Sequence, residues 1–298
     1  MIYYLLWGMI VLNCNNSVIF LEDLIKLHGS DLSNVDFTNV MILPYDSLKN
    51  ITLPNDVNLF QKIFNKSLRY VHMGDKNYER YNFNEVDLYG AIFDKNAKIP
   101  NNKDFFIKLF DKSIENVVLP EHDFSTYIFK EVNLKGAFFQ KNSKLPKHPN
   151  FFQELHGKSI EFTTLPYGSY NAYNFNNINI SGAVFTSDSS LDCNLKVFQE
   201  IKNKDLSKTI LPYGDYRFMD FTGVILNETA FTENTILPTN QNFLQTVNIK
   251  DFNTIIFPES FLNLLDCYDL RNIKLDYNTL NISSVKKVIL YKKLSFYK

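Results

Sequence analysis

Val132-Asn133-Leu134-Lys135-Gly136 is the stretch on which the fold turns. It runs aliphatic, short polar, large apolar, variable, glycine. Val86-Asp87-Leu88-Tyr89-Gly90 repeats it 46 residues earlier. Prolines carry the same period: Pro54, Pro100, Pro146 and Pro238 are 46, 46 and 92 residues apart, and Pro120, Pro166, Pro212 and Pro258 step by 46. Asp192 stands where the first proline series skips a member. Phe37, Phe83, Phe129, Phe175 and Phe221 also step by 46. A period of this length marks a repeat architecture.

Inside each unit lies a finer period of five. Ile114, Leu119, Phe124, Phe129, Leu134 and Phe139 form one series, and Ile160, Leu165, Tyr170, Phe175, Ile180 and Phe185 the next. Neither a helical period nor strand alternation produces a step of five. A chain that turns a corner every five residues does, with each large residue pointing inward from the middle of a face. Alternate residues of an extended face share a side, so the residue two earlier also points inward. It is slender at Ala91, Ala137 and Ala183 on one face and at Val86, Val132 and Ile178 on another. The residue between points outward and is a short polar one at Asp87, Asn133, Asn179, Asp123, Asp215 and Asp220. Such side chains bond readily to the backbone at a corner. Gly90, Gly136, Gly182 and Gly223 fall two after the large residue, where a turn calls for positive φ.

On these residues the chain resembles the pentapeptide-repeat family. Val35-Asp36-Phe37-Thr38-Asn39 and Met219-Asp220-Phe221-Thr222-Gly223 match its pattern with one loose position each. The resemblance covers residues 32–282. It implies a mainly β fold: a right-handed, four-sided parallel β-helix, or pentapeptide-repeat solenoid. One departure is systematic. Six pentads occupy residues 112–141, which leaves 16 of the 46 residues, here Asn142 to Gly157. Leu59-Phe60-Gln61-Lys62-Ile63-Phe64 and Phe105-Phe106-Ile107-Lys108-Leu109-Phe110 carry apolar residues at i, i+1, i+4 and i+5. That spacing predicts a short helix of two to three turns inserted every 46 residues, N-capped by Asn58, Asp104 and Asn150 and lying on the solenoid. The inserts are expected to line up as a ridge along one edge.

Three segments follow: an N-terminal apolar segment and capping helix at 1–31, the solenoid at 32–282, and a basic C-terminal tail or cap at 283–298. Ile2 to Leu12 is apolar, but eleven residues fall short of the ~20 that a membrane-spanning helix needs. The run reads as a cap over the open end of the array, as an export signal at 1–14, or as a lipid anchor at Cys14. The compartment, cytoplasmic or exported, depends on that choice, and membrane contact stays open with it. Ser17 to Leu27 reads as an amphipathic helix with Phe20, Leu21, Leu24, Ile25 and Leu27 on one face, ended by His28-Gly29. Near the other end the five-residue step breaks at Asn272 and restarts at Leu270, Leu275 and Leu280. The tail Val285 to Lys293 reads as a last strand whose lysines protect an exposed edge, with membrane or nucleic-acid contact as the alternative.

The 298 residues carry 31 basic and 32 acidic side chains, a net charge of −1. This gives no global pull toward nucleic acid or an anionic membrane. Cys14, Cys193 and Cys267 are too sparse for a disulfide framework or a zinc site. Of the five histidines, His122 falls at a slender inward position whose counterparts are Lys76 and Gly168, so that face is expected to be irregular and open to solvent. Glu121-His122-Asp123 holds metal-ligand types, but three successive residues seldom converge. Tyr167 and Tyr213 offer a surface aromatic patch, whereas Tyr170 and Tyr216 fall in the inward phase. No catalytic, cofactor-binding or metal-ligating residue is assigned, and no small-molecule substrate or cofactor is expected. The expectation is a non-enzymatic structural or interaction protein that presents a rigid solenoid surface to a protein partner. The alternatives are an exported effector or surface protein, and a gyrase-binding DNA mimic such as the resemblance includes.

Overall fold

A computed structural model describes residues 18–186, 188–191, 196–239, 243 and 255–258. The apolar run and export reading at 1–14, the restart at Leu270 to Leu280 and the tail at 283–298 lie outside the described residues. The described chain is mainly β, with few, short helices and parallel strands in small sheets. It falls into two compact units, Met1–Pro146 with Glu154–Ser159, and Lys147–Gln153 with Ile160–Lys298.

In the first unit β1 (Ile19–Phe20) pairs in parallel with β2 (Val40–Met41), and β3 (His72–Gly74) with β4 (Ile92–Phe93). Single parallel pairings extend these, such as Ile92 with Val118 and Val118 with Phe138. In the second unit β5 (Thr164–Leu165), β6 (Val184–Phe185), β7 (Ile210–Leu211) and β8 (Ala230–Phe231) form a four-stranded parallel sheet, and Ala230 pairs onward with Ile256. The spacing of partners explains the repeat. From His72 the chain returns beside itself at Ile92, Val118 and Phe138, after 20, 26 and 20 residues. From Thr164 it returns at Val184, Ile210, Ala230 and Ile256, after 20, 26, 20 and 26. One plain return and one lengthened return together make the 46-residue period.

The five-residue phase holds in the packing. Ile114, Leu119, Phe124, Phe129, Leu134 and Phe139 are all buried, and so are Ala91, Ala137, Ala183, Val86, Val132 and Ile178. The outward polar residues bond to the corner as their chemistry dictates. Asp87, Asn133, Asn179, Asp123, Asp215 and Asp220 each accept, through Oδ1, the backbone N–H two residues on, at 2.8–3.2 Å. Gly90, Gly136 and Gly182 have φ of +68°, +67° and +70°. A second constraint joins the first. A Cβ at Gly90 would lie 2.5 Å from the Tyr70 ring, and one at Gly182 would lie 2.2 Å from the Phe162 ring. The bulky corner residue of one return thus lies over the glycine of the next.

The inserts differ from their expected form. In place of two or three helical turns there is one turn, α2 (Leu59–Lys62) or Phe106–Lys108 in 3-10 form, then a second 3-10 turn at Phe64–Lys66 or Phe110–Lys112. The second unit has α3 (Val197–Glu200) and Lys202–Lys204. The helix breaks because Ile63, Leu109 and Ile201 are extended (ψ 153°, 160° and 156°), which turns each side chain into the core. Asn65, Asp111 and Asn203 then take left-handed φ of 50–57°, a conformation that Asn and Asp tolerate better than most residues. Asn58 makes no capping bond. The polar residue two places earlier acts instead: Asp56 Oδ1 accepts from Asn58 N–H at 2.9 Å, and Asn102 Oδ1 from Asp104 N–H at 3.0 Å.

The inserts are anchored in the core on one side, while Lys62, Asn65, Lys108, Phe110 and Asp111 stay exposed on the other. Phe60, Phe106, Phe152 and Phe198, again 46 apart, are buried plugs. The Phe60 ring sits 4.8 Å from Phe83, Phe106 4.7 Å from Phe129, Phe152 5.1 Å from Phe175 and Phe198 5.1 Å from Phe221. A glutamine beside three of these plugs ties the insert to the next return. The Nε2 of Gln61 donates to Asn82 O and Asn84 O, that of Gln153 to Asn174 O and Asn176 O, and that of Gln199 to Asp220 O and Thr222 O, at 2.7–3.2 Å. The first two inserts are not stacked directly on one another. Residues 82–87 separate them, bonding to Val57 O and Lys66 O on one side and to Lys108 O on the other.

The N-terminal helix, α1 (Leu21–His28), starts later than expected because Ile19 and Phe20 are taken up in β1. Leu21 and Leu24 are buried, whereas Leu27 is 76% exposed and leaves the apolar face. Gly29 ends the helix with φ +72°, its N–H donating to Ile25 O at 2.8 Å. Among the described residues no helix is long and apolar enough to cross a membrane.

Candidate interaction surface

His122 occupies a regular face, not an irregular one. The backbone carbonyls of Lys76 and His122 accept from Lys98 and Lys144 N–H in the same way, and Gly168 O accepts from Ser190 N–H. Lys76 and His122 are half-buried. His122 Nε2 lies 2.8 Å from the Tyr127 hydroxyl, which itself donates to Pro100 O at 2.9 Å. The tyrosine proton is therefore committed, and His122 is the donor from Nε2. Burial pushes the His122 pKa down.

Its acidic neighbours turn to other partners. Glu121 pairs with Lys95 at 3.3 Å and accepts from Asn142 Nδ2 at 2.9 Å. Asp123 accepts from Ser125 and pairs with Lys144 at 3.0 Å, which holds its carboxyl at about 2. Glu121-His122-Asp123 does not converge on one point.

Of the four tyrosines singled out by sequence, Tyr170 and Tyr216 are core. Their hydroxyls donate to Pro166 O at 2.5 Å and Pro212 O at 2.8 Å, and burial pushes the Tyr170 phenol up. The same acceptor role explains part of the other proline series, where Tyr81 donates to Pro54 O at 2.9 Å. Tyr167 and Tyr213 are exposed. A cavity of about 160 Å³ in the second unit, lined by Tyr170, Tyr173, Leu191, Val197 and Glu200 among others, is smaller than a usual ligand pocket.

The first unit carries an edge that sequence reasoning missed. Tyr45 is 81% exposed and stacks on Tyr70 with ring centroids 5.5 Å apart at 25°. Tyr70 meets Tyr89 edge-on at 5.2 Å and 80°. The Arg69 guanidinium lies 4.3 Å over the Tyr89 ring, and its Nη1 is 2.8 Å from Asp87 Oδ2. The hydrogen bond to Asp87 raises the Arg69 pKa. Asn116 Nδ2 donates to the Tyr89 hydroxyl at 2.9 Å. Tyr45 and Tyr70 both have left-handed φ (72° and 58°), so the backbone corner itself aims these rings. Two residues beyond Gly90 runs an outward column of Ile92, Val118 and Phe138, of which Ile92 and Phe138 are exposed.

Rigid tyrosines beside an arginine, next to apolar side chains on a fixed backbone, have the composition that carries binding energy at protein interfaces. The signal was present in sequence only as a departure from the repeat. The counterparts of Tyr70 are Asn116 and Phe162, and those of Tyr89 are Lys135 and Ser181. A reading built on the period treats such outward positions as noise. In comparisons with known proteins, no protein-family model and no curated protein matches this chain.

Proposed function

We propose that this chain is a right-handed, four-sided β-helix of the pentapeptide-repeat kind, that it has no enzymatic role, and that it presents a rigid lateral surface to a protein partner. The fold reading is supported by parallel returns after 20 and 26 residues and by buried large residues at every fifth position. The functional reading rests on one observation: the Tyr45–Tyr70–Tyr89 edge, with Tyr45 exposed, Tyr70 and Tyr89 half-buried and Arg69 held over Tyr89.

Affinity capture with the intact protein and its Tyr45→Asn variant tests the reading. Asparagine accepts left-handed φ, so the corner is preserved while the exposed ring is lost. The expected result is a captured protein whose affinity falls about tenfold or more with the variant, at unchanged melting temperature. Capture of the same protein equally by both forms, or of none above background, contradicts it.

A further inference from the structure

The sheet β5–β8 of the second unit, continued by Ile256, turns one face to the core through Leu165, Phe185, Leu211, Phe231 and Phe257. Its other face carries Thr164, Val184, Ile210, Ala230 and Ile256, one on each of five successive parallel rungs. No charge interrupts this row, and Ile210 and Ile256 are 37% and 63% exposed. An uncharged apolar row on an outer sheet face is a surface that another chain can cover.

We propose that a second copy of this chain docks here, face to face and antiparallel. The flanking residues argue for that occupant. On one side of the row Lys208 and Glu228, both exposed, stand on neighbouring rungs, two residues before Ile210 and Ala230. On the other side Tyr213 and Glu233 stand three residues after them, also exposed. A twofold axis lying along the strand direction, midway between the rungs of Ile210 and Ala230, reverses the order of rungs in the partner. Each Lys208 then meets a Glu228, each Tyr213 hydroxyl meets a Glu233 carboxylate, and each Ile210 meets an Ala230, large against small. Every contact occurs twice, as an isologous interface requires. Sheets packed this way lie about 10 Å apart, a distance the Val and Ile side chains fill. A parallel arrangement would set Glu228 against Glu233 and is disfavoured by like charge. The self-association is independent of any other partner and of the tyrosine edge, which belongs to the first unit.

Sedimentation velocity of the full chain over a concentration series is the test. The wild type is expected to dimerise, and Ile210→Lys to be monomeric with the circular dichroism spectrum of the wild type. Should Ile210→Lys fold poorly, charge exchange decides: Lys208→Glu weakens the dimer about tenfold, and Lys208→Glu with Glu228→Lys restores it. A wild type that is monomeric throughout overturns the proposal. So does a dimer indifferent to both Ile210→Lys and Lys208→Glu, or one that the double exchange fails to restore.

Discussion

Replacing Phe106 by alanine is expected to lower stability by about 3–5 kcal/mol, the range for removing a fully buried aromatic ring. Phe106 is inaccessible to solvent, and its ring lies 5.1–5.6 Å from those of Phe105, Tyr127 and Phe124, besides the 4.7 Å contact with Phe129. Phe124 is held by its N–H bond to Lys144 O and Tyr127 by its hydroxyl bond to Pro100 O, which limits how far these neighbours can close into the space. Phe138→Ala in the same unit is the control. Its ring is 39% exposed on the outward column, and the expected loss is about 1 kcal/mol or less. The shift in urea midpoint for the two variants checks the difference. Equal shifts would mean that the insert residue is not the plug described.

Gly74→Ala is expected to cost about 2–5 kcal/mol, and here the cause is backbone rather than cavity. Gly74 has φ +79°, and a Cβ there would lie 2.6 Å from the Lys49 Cα and 3.0 Å from its Cβ. The nearest obstacle is main chain, which no rotamer change relieves. The register between β3 and β4 also shifts between His72 and Gly74, so the glycine sits where the ladder is already irregular. Gly29→Ala separates the two contributions. Its φ of +72° is nearly the same, but nothing lies within 4 Å of the added Cβ. That variant should lose only about 1 kcal/mol, the cost of left-handed φ alone. Thermal unfolding of the two proteins side by side reads out the steric excess at Gly74.

Much of this fold can be read from sequence because its interior is written at fixed spacing. The large residue at every fifth position, the slender residue two before it on faces such as that of Val132, and the Asx bonds at corners such as Asp87 and Asn133 follow from side-chain size and polarity. The inserts were legible in place and period but not in conformation. Apolar residues at i, i+1, i+4 and i+5 suit an amphipathic helix, yet they equally suit a single turn followed by an inward bend at Ile63, Leu109 or Ile201. What separates the two is the demand to rejoin the ladder, which lies outside any local window. The same holds for Asn58, whose residue type fits a cap while Asp56 makes the bond. The tyrosine edge was hidden for a different reason. Outward positions are free to vary between repeats, so a local function there appears as a loss of pattern rather than as a motif.

The chain returns beside itself in a fixed parallel register, and engineered disulfides measure that register directly. In a background with Cys14, Cys193 and Cys267 changed to serine, Val118→Cys with Phe138→Cys places the two thiols on directly paired residues, 20 apart in sequence. Paired neighbours fall within the ~4.4–6.8 Å Cα separation that a disulfide spans. Val118→Cys with Gln140→Cys displaces the second thiol by two residues along the strand and beyond that reach. Mild oxidation of dilute protein should close an intramolecular bond in the first pair and leave the second reduced. Closure of neither pair, or of both at the same rate, would contradict the register and the architecture built on it.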